Sequence, residues 1–146
     1  MSKNKVGIKN TRIMVFGTFD GLHKGHIDFF KQAKNLKQFS FLIVSIARDI
    51  NVIKIKGEKP KFNEKERASL VKNCKVVDKV ILGGKNAYLS HILKEKPDII
   101  ALGYDQKVYV ENLKKDLKNK SILIKIVRLK PFKKNIYKNH LLKNKR

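Results

Sequence analysis

The pattern of the chain predicts an α/β fold: a three-layer, Rossmann-like parallel five-stranded sheet in a single domain, followed by a basic C-terminal tail. Three observations predict it. Short apolar runs alternate with segments of helical period along most of the length. The runs are apolar throughout rather than at every second residue, as strands are when helices cover both faces of a sheet. Glycines close several of the runs, and a helix between strands is what a parallel crossover needs.

Taken in order, Arg12–Gly17 (RIMVFG) reads as a buried strand. His26–Leu36 carries Ile27, Phe29, Phe30, Ala33 and Leu36 at helical spacing. Phe39–Ala47 (FSFLIVSIA) is a continuous, β-branched strand. Arg48–Phe62 holds Gly57 and Pro60 and reads mainly as loop. Asn63 and Glu66 form a capping box for a helix over Glu64–Asn73. A strand at Asp78–Leu82 ends at Gly83-Gly84, and a helix at Ala87–Lys96 is stopped by Pro97. Asp98–Gly103 is the fourth strand, Val110–Asn119 a helix and Ser121–Val127 the fifth strand. With no repeat or linker, residues 12–130 are expected to be one domain. Residues 131–146 are expected to be a basic tail, with a short helix at Ile136–Leu142.

Composition narrows the setting. A length of 146 residues with 42% apolar content suffices for one sizeable core. No apolar run approaches the roughly 20 residues needed to cross a bilayer. The charged N-terminal stretch has no apolar segment after it, so no secretory leader is expected. Cys74 is alone, which excludes an internal disulfide and a cysteine metal cluster. A cytoplasmic protein without a membrane partner is expected. The net charge of +23 favours polyanions in general. Its lysines, however, are scattered from end to end and belong to an Ile- and Asn-rich composition, so nucleic acid is not expected as the partner.

The stretch FGTFDGLHKGHIDFF (Phe16–Phe30) carries the chemistry. It begins where the first strand ends, on the edge of an α/β sheet where ligands bind. Gly17 and Gly21 permit close backbone approach. His26 falls on the first turn of the next helix, whose unpaired N–H groups and positive dipole end favour phosphate. Two imidazoles, His23 and His26, can donate to phosphate oxygens, with Gly25 letting the chain pass close to the anion. Such a site suits phosphoryl or nucleotidyl transfer. It is neither a Walker loop nor a G-x-G-x-x-G fingerprint. Zinc shared by the two histidines is the rival, but His91 and His140 sit in unrelated segments and no third ligand is evident, so no metal ligands are assigned.

GTFDGLHKGH resembles the signature of the cytidylyltransferase-like nucleotidyltransferase family, G-x-F-D-x-x-H-x-G-H. Further segments, ARDINVIKIKGEKP, NEKERASLV, VVDKVILG and KPDIIALGYDQ, are similar to its archaeal FAD synthetase branch. The resemblance implies transfer of a nucleoside monophosphate from a triphosphate to a phosphorylated acceptor, with release of pyrophosphate. ATP and FMN are the implied substrates. CTP with glycerol 3-phosphate or another phosphorylated alcohol is the runner-up, and a non-catalytic nucleotide- or nucleic-acid-binding protein is the alternative from another class. Magnesium or another divalent cation is implied as companion of the triphosphate, and relatives are often homodimers.

Residue by residue, the resemblance puts stabilisation of the triphosphate on His23 and His26. Gly17, Thr18, Phe19, Lys24 and Gly25 line the nucleotide site, and Asp105 takes part in nucleotide recognition. Lys54, with Lys56 beside it, Arg67 and Arg128 match positions near the phosphates. Cys74 reads as a packing residue. The family's Ser/Thr-rich segment after the last strand is replaced by LKPFKKNIYKNHLL, where Lys133 and Lys134 are the candidate phosphate contacts.

Overall fold

Strand β1 (Thr11–Gly17) lies at the centre of a five-stranded sheet in the computed structural model of the chain, which describes residues 9–84, 88–106 and 110–132. On one side of it come β2 (Ser40–Ile46) and β3 (Lys79–Leu82); on the other, β4 (Ile99–Leu102) and β5 (Lys125–Arg128). The order is β3-β2-β1-β4-β5 and every pair is parallel. Gly17 sits opposite Ile46, Ile46 opposite Leu82, and Leu102 opposite Arg128. The strands therefore end along one edge, and their order reverses between β1 and β4, the switch point at which such sheets bind ligands.

Neighbouring residues of β1 serve different cores. Ile13 and Val15 pack with α1 (Lys24–Lys34) and α3 (Glu64–Lys72) through Phe30, Ala33 and Val71. Met14 packs on the opposite face with α4 (Tyr88–Glu95) and α5 (Val110–Asn119) through Ile92, Leu113 and Leu117. Both faces are apolar because both are covered, which explains the unbroken apolar runs. Three layers result, as expected.

Two elements differ from the sequence expectation. Asp49–Lys56, read as loop, is a helix, α2. It buries only Val52, so no apolar stripe announces it. Its stability comes from elsewhere: the Asp49 N–H donates to Glu64 Oε1 at 2.9 Å, and the Glu64 N–H returns a bond to Asp49 Oδ2 at 3.2 Å. Each helix thus supplies a carboxylate to the other's N-terminus. Gly57, at φ 81°, closes α2 in the left-handed conformation.

The fifth strand starts at Lys125 rather than Ser121. After α5 the Ser121 N–H donates to the Lys118 carbonyl and the Ile122 N–H to the Leu117 carbonyl. Ser121 sits at φ 55°, so a Schellman stop takes residues that the β-branched run assigned to the strand. The remaining elements agree to within about two residues. The helix at Ile136–Leu142 and most of the tail lie outside the described residues.

Candidate active site

The chain turns sharply after β1, and an aromatic residue shapes the turn. Phe19 is buried at φ 52°, a conformation that costs a bulky side chain free energy. Its ring covers Gly17 so closely that a Cβ there would meet Phe19 Cζ at 2.5 Å. The ring lies 5.1 Å from that of Phe30 and edge-on to His26 at 5.3 Å. Asp20 fastens the loop outward, accepting the Lys61 N–H at 2.5 Å and the Phe62 N–H at 2.7 Å. Desolvation works to raise the Asp20 pKa, but these two N–H bonds together with the Arg67 and Lys56 charges outweigh it and leave it lowered.

The two histidines cap the helix that follows. His23 is the N-cap of α1, and its Nδ1 accepts the Gly25 N–H at 3.0 Å. His26 returns the arrangement, its Nδ1 accepting the His23 N–H at 3.3 Å. The rings stack with centroids 3.7 Å apart. Since both Nδ1 atoms accept, each neutral ring carries its proton on Nε2 and keeps that N–H free to donate. Burial, reinforced by the His23 charge, pulls the His26 pKa down to about 4. No acidic residue occupies the first turn of α1, so nothing opposes its positive end. Lys24 is exposed between the pair.

Arg67 has a different place from the one expected. It is fully buried, and its guanidinium donates to the carbonyls of Phe62, Thr18 and Ala47 at 2.8–2.9 Å and pairs with Asp49 at 2.6 Å. Four of its five donors are thereby committed. It ties together the segments that follow β1 and β2 and the one that precedes α3, rather than facing a phosphate. Arg128 is likewise turned to backbone, donating to the Gly103 and Gln106 carbonyls. Gln106 completes that brace: Oε1 accepts from Gly103 and Nε2 donates to the Phe16 carbonyl at 3.0 Å. Asp105 is exposed on the turn these contacts hold beside β1.

A cavity of about 490 Å³ opens on the other side of the β1 end, between Gly17–Thr18 and helices α2, α4 and α5. Ligand sites commonly span roughly 300–1,000 Å³. Val52, Ile55, Ile92, Leu102 and Leu113 give it apolar walls, while Lys54 and Lys56 border it. The histidines do not line it. They lie on the α1 face of the sheet, so Gly17 and Thr18 stand between the histidine-capped helix end and the largely apolar cavity.

His91, which sequence reasoning set aside, belongs to the cavity wall, its Nε2 2.9 Å from Ser45 Oγ. Only its helical spacing behind Gly83-Gly84 could have signalled this. Gln106, the last residue of GYDQ, carries no mark in the sequence of the brace it makes to Gly103 and Phe16. Lys54 borders the cavity, whereas Lys133 and Lys134 lie outside the described residues.

Among the described residues no three His, Cys, Asp or Glu side chains gather to hold a metal. Both histidine Nδ1 atoms and both Asp20 oxygens are engaged with backbone N–H groups. This donor set fits a divalent cation carried by the nucleotide's own phosphates. Among the described residues no helix is long and apolar enough to cross a membrane.

Comparison with known proteins agrees with this geometry. The profile of the cytidylyltransferase-like family matches residues 14–142. The FAD synthase of Korarchaeum cryptofilum is 44% identical over 122 residues, 83% of this chain and 82% of that protein. The FAD synthase of Methanothermus fervidus is 43% identical over 123 residues, 84% of each. A crystal structure of a lipopolysaccharide core biosynthesis protein from Thermoplasma volcanium superposes with a TM-score of 0.75 at 39% identity, covering 84% of this chain and 98% of that one. With its histidine-capped helix at the sheet's switch point and these relatives over most of its length, the chain belongs to the cytidylyltransferase-like family.

Proposed function

We propose that this nucleotidyltransferase joins AMP from ATP to FMN, giving FAD and pyrophosphate. One observation carries the reading: two imidazoles with Nδ1 locked by backbone N–H groups, and so with Nε2–H free, at a helix N-terminus beside an apolar cavity. Relatives named FAD synthase at 43–44% identity support the choice of substrates. An oxygen of the FMN phosphate attacks the α-phosphorus of ATP. The bond from that phosphorus to the β-bridging oxygen breaks, and pyrophosphate leaves with the electron pair. His23 and His26 donate through Nε2 to triphosphate oxygens whose charge grows as the bridge lengthens. A divalent cation travels with the triphosphate and neutralises part of its charge.

Gly17, Thr18, Phe19 and Gly25 let the phosphates approach the backbone, Lys24 adds positive charge at the rim, and Asp105 faces the nucleoside. Lys54 holds a phosphate at the cavity mouth. Arg67 and Arg128 act by positioning the loops, and Lys133 and Lys134 replace the family's hydroxyl contacts. The catalytic unit is residues 12–130, with 131–146 as its basic tail. A cytoplasmic setting and a homodimer belong to the same reading and rest on the resemblance; light scattering on the purified protein tests the dimer.

The test mixes purified protein, Mg²⁺, ATP or CTP, and FMN or glycerol 3-phosphate, and follows pyrophosphate and FAD. ATP with FMN is expected to yield both. Turnover of CTP with glycerol 3-phosphate alone replaces the proposed substrates, and no pyrophosphate from any pair overturns the enzymatic reading.

A further inference from the structure

We propose that His91, oriented by Ser45, recognises the polar edge of the flavin ring and thereby selects FMN over a small phosphorylated alcohol. The inference rests on the FMN reading above and adds to it the residue that reads the acceptor.

Several of the polar side chains in the cavity wall are already committed. The Gln106 amide is spent on Gly103 and Phe16. The Tyr88 hydroxyl donates to Asp116; burial and that carboxylate push its pKa up to about 12, so the proton stays. Asn51 Nδ2 donates to the Gly84 carbonyl at 3.1 Å. Ser45 and His91 differ. Ser45 is buried on β2, and its hydroxyl meets His91 Nε2. Among the described residues Nδ1 of His91 has no hydrogen-bond partner, although the ring is half-buried in the cavity wall.

A ring nitrogen without a partner, set in a wall with a large apolar share, offers a ligand one directed polar contact. The pyrimidine edge of isoalloxazine offers an N–H donor, N3, between two carbonyl acceptors. A neutral imidazole can serve either kind, because rotation of the Ser45 hydroxyl selects its tautomer. Burial lowers the His91 pKa and so keeps the ring neutral, Glu95 opposing and Arg48 and Lys94 reinforcing the shift. The wall is held in place: Arg48 Nε donates to the Gly83 carbonyl at 2.6 Å, beside the Asn51 bond to Gly84. Glycerol 3-phosphate has no ring edge, so it offers Nδ1 no partner. A site built around such a bond discriminates strongly against a ligand without the partner group.

FMN binding, read by quenching of flavin fluorescence, and steady-state kinetics are measured for the full chain and for His91→Phe, His91→Gln and Ser45→Ala. His91→Phe is expected to raise Kd and KM for FMN about ten-fold or more, leaving KM for ATP and kcat at saturating FMN within about two-fold. His91→Gln, which keeps a donor and an acceptor, recovers part of the loss. N3-methyl-FMN is expected to bind the wild type about ten-fold more weakly than FMN and to show no such penalty in His91→Phe. An unchanged FMN Kd in His91→Phe overturns the proposal, as does a change in the ATP KM alone, which would give the cavity to adenine. If His91→Phe does not fold, equal binding of FMN and its N3-methyl analogue to the wild type overturns it instead. Wild-type synthesis of FAD with an unaltered His91→Phe sinks this inference only; a wild type that neither binds FMN nor makes FAD sinks the FMN reading as well.

Discussion

His23 serves two ends through one ring. Nδ1 caps α1, and in the proposed reaction Nε2 donates to the triphosphate. The two uses separate by substitution. Asn is among the best N-caps but does not place an N–H where Nε2 stands, so His23→Asn is expected to hold the melting temperature and lower FAD formation about 10²-fold or more. His23→Ala should lose the cap as well, about 1 kcal/mol by urea unfolding. His26 makes stability depend on pH. Its pKa is about 4 in the folded chain against 6.5 when exposed, so below pH 6.5 the unfolded chain binds the proton first. The contribution of the neutral ring is fully present above pH 6.5 and is lost as pH falls from 6.5 towards 4. Urea midpoints measured across that range should fall with acidity, and His26→Gln should flatten the slope. A slope unchanged by the substitution would remove His26 as its cause.

At the scale of elements, the site depends on two helices whose N-termini share carboxylates and on one buried arginine. Glu64→Ala removes the oxygen that the Asp49 N–H uses, which is expected to cost about 1 kcal/mol. Amide exchange over residues 51–56 should accelerate more than exchange in β1. Arg67→Met strands three carbonyls and Asp49 and should destabilise by about 3 kcal/mol or more. Arg67→Lys keeps the charge but cannot reach Phe62, Thr18 and Ala47 together, so it should recover little. α2 itself was not legible in the sequence. Helical reading depends on an apolar stripe, and α2 buries a single residue, leaving Ile50 and Ile53 exposed. The ends of β5 were misread for a related reason: Ser121–Ile124 has strand composition, but the stop of α5 uses its backbone.

For the whole molecule, the charge of +23 and the pocket make separable predictions. ATP and FMN bind only the folded chain, so each at about 100 times its Kd should raise stability by about 2.7 kcal/mol, visible as a higher melting temperature. CTP and glycerol 3-phosphate should leave it unchanged. Non-specific DNA binding driven by scattered lysines should fall about 10³-fold or more between 50 and 200 mM salt. Tight binding that survives would restore a nucleic-acid role. In the full chain, Lys133→Ala with Lys134→Ala should raise the KM for ATP about ten-fold without moving the melting temperature.

The sequence by itself determined the strand–helix alternation, the single three-layer sheet and the reaction class. These are properties of local period and of one compact motif, in which His23 and His26 reach each other within a turn of helix. What only the tertiary structure decided are the roles of residues whose partners lie far along the chain. Arg67 meets Thr18 across 49 positions, and His91 meets Ser45 across 46. A lone arginine or histidine on a helix carries no mark of such a partner. Packing of α3 beneath the segments after β1 and β2 turns Arg67 inward, and packing of α4 against the sheet brings His91 to Ser45.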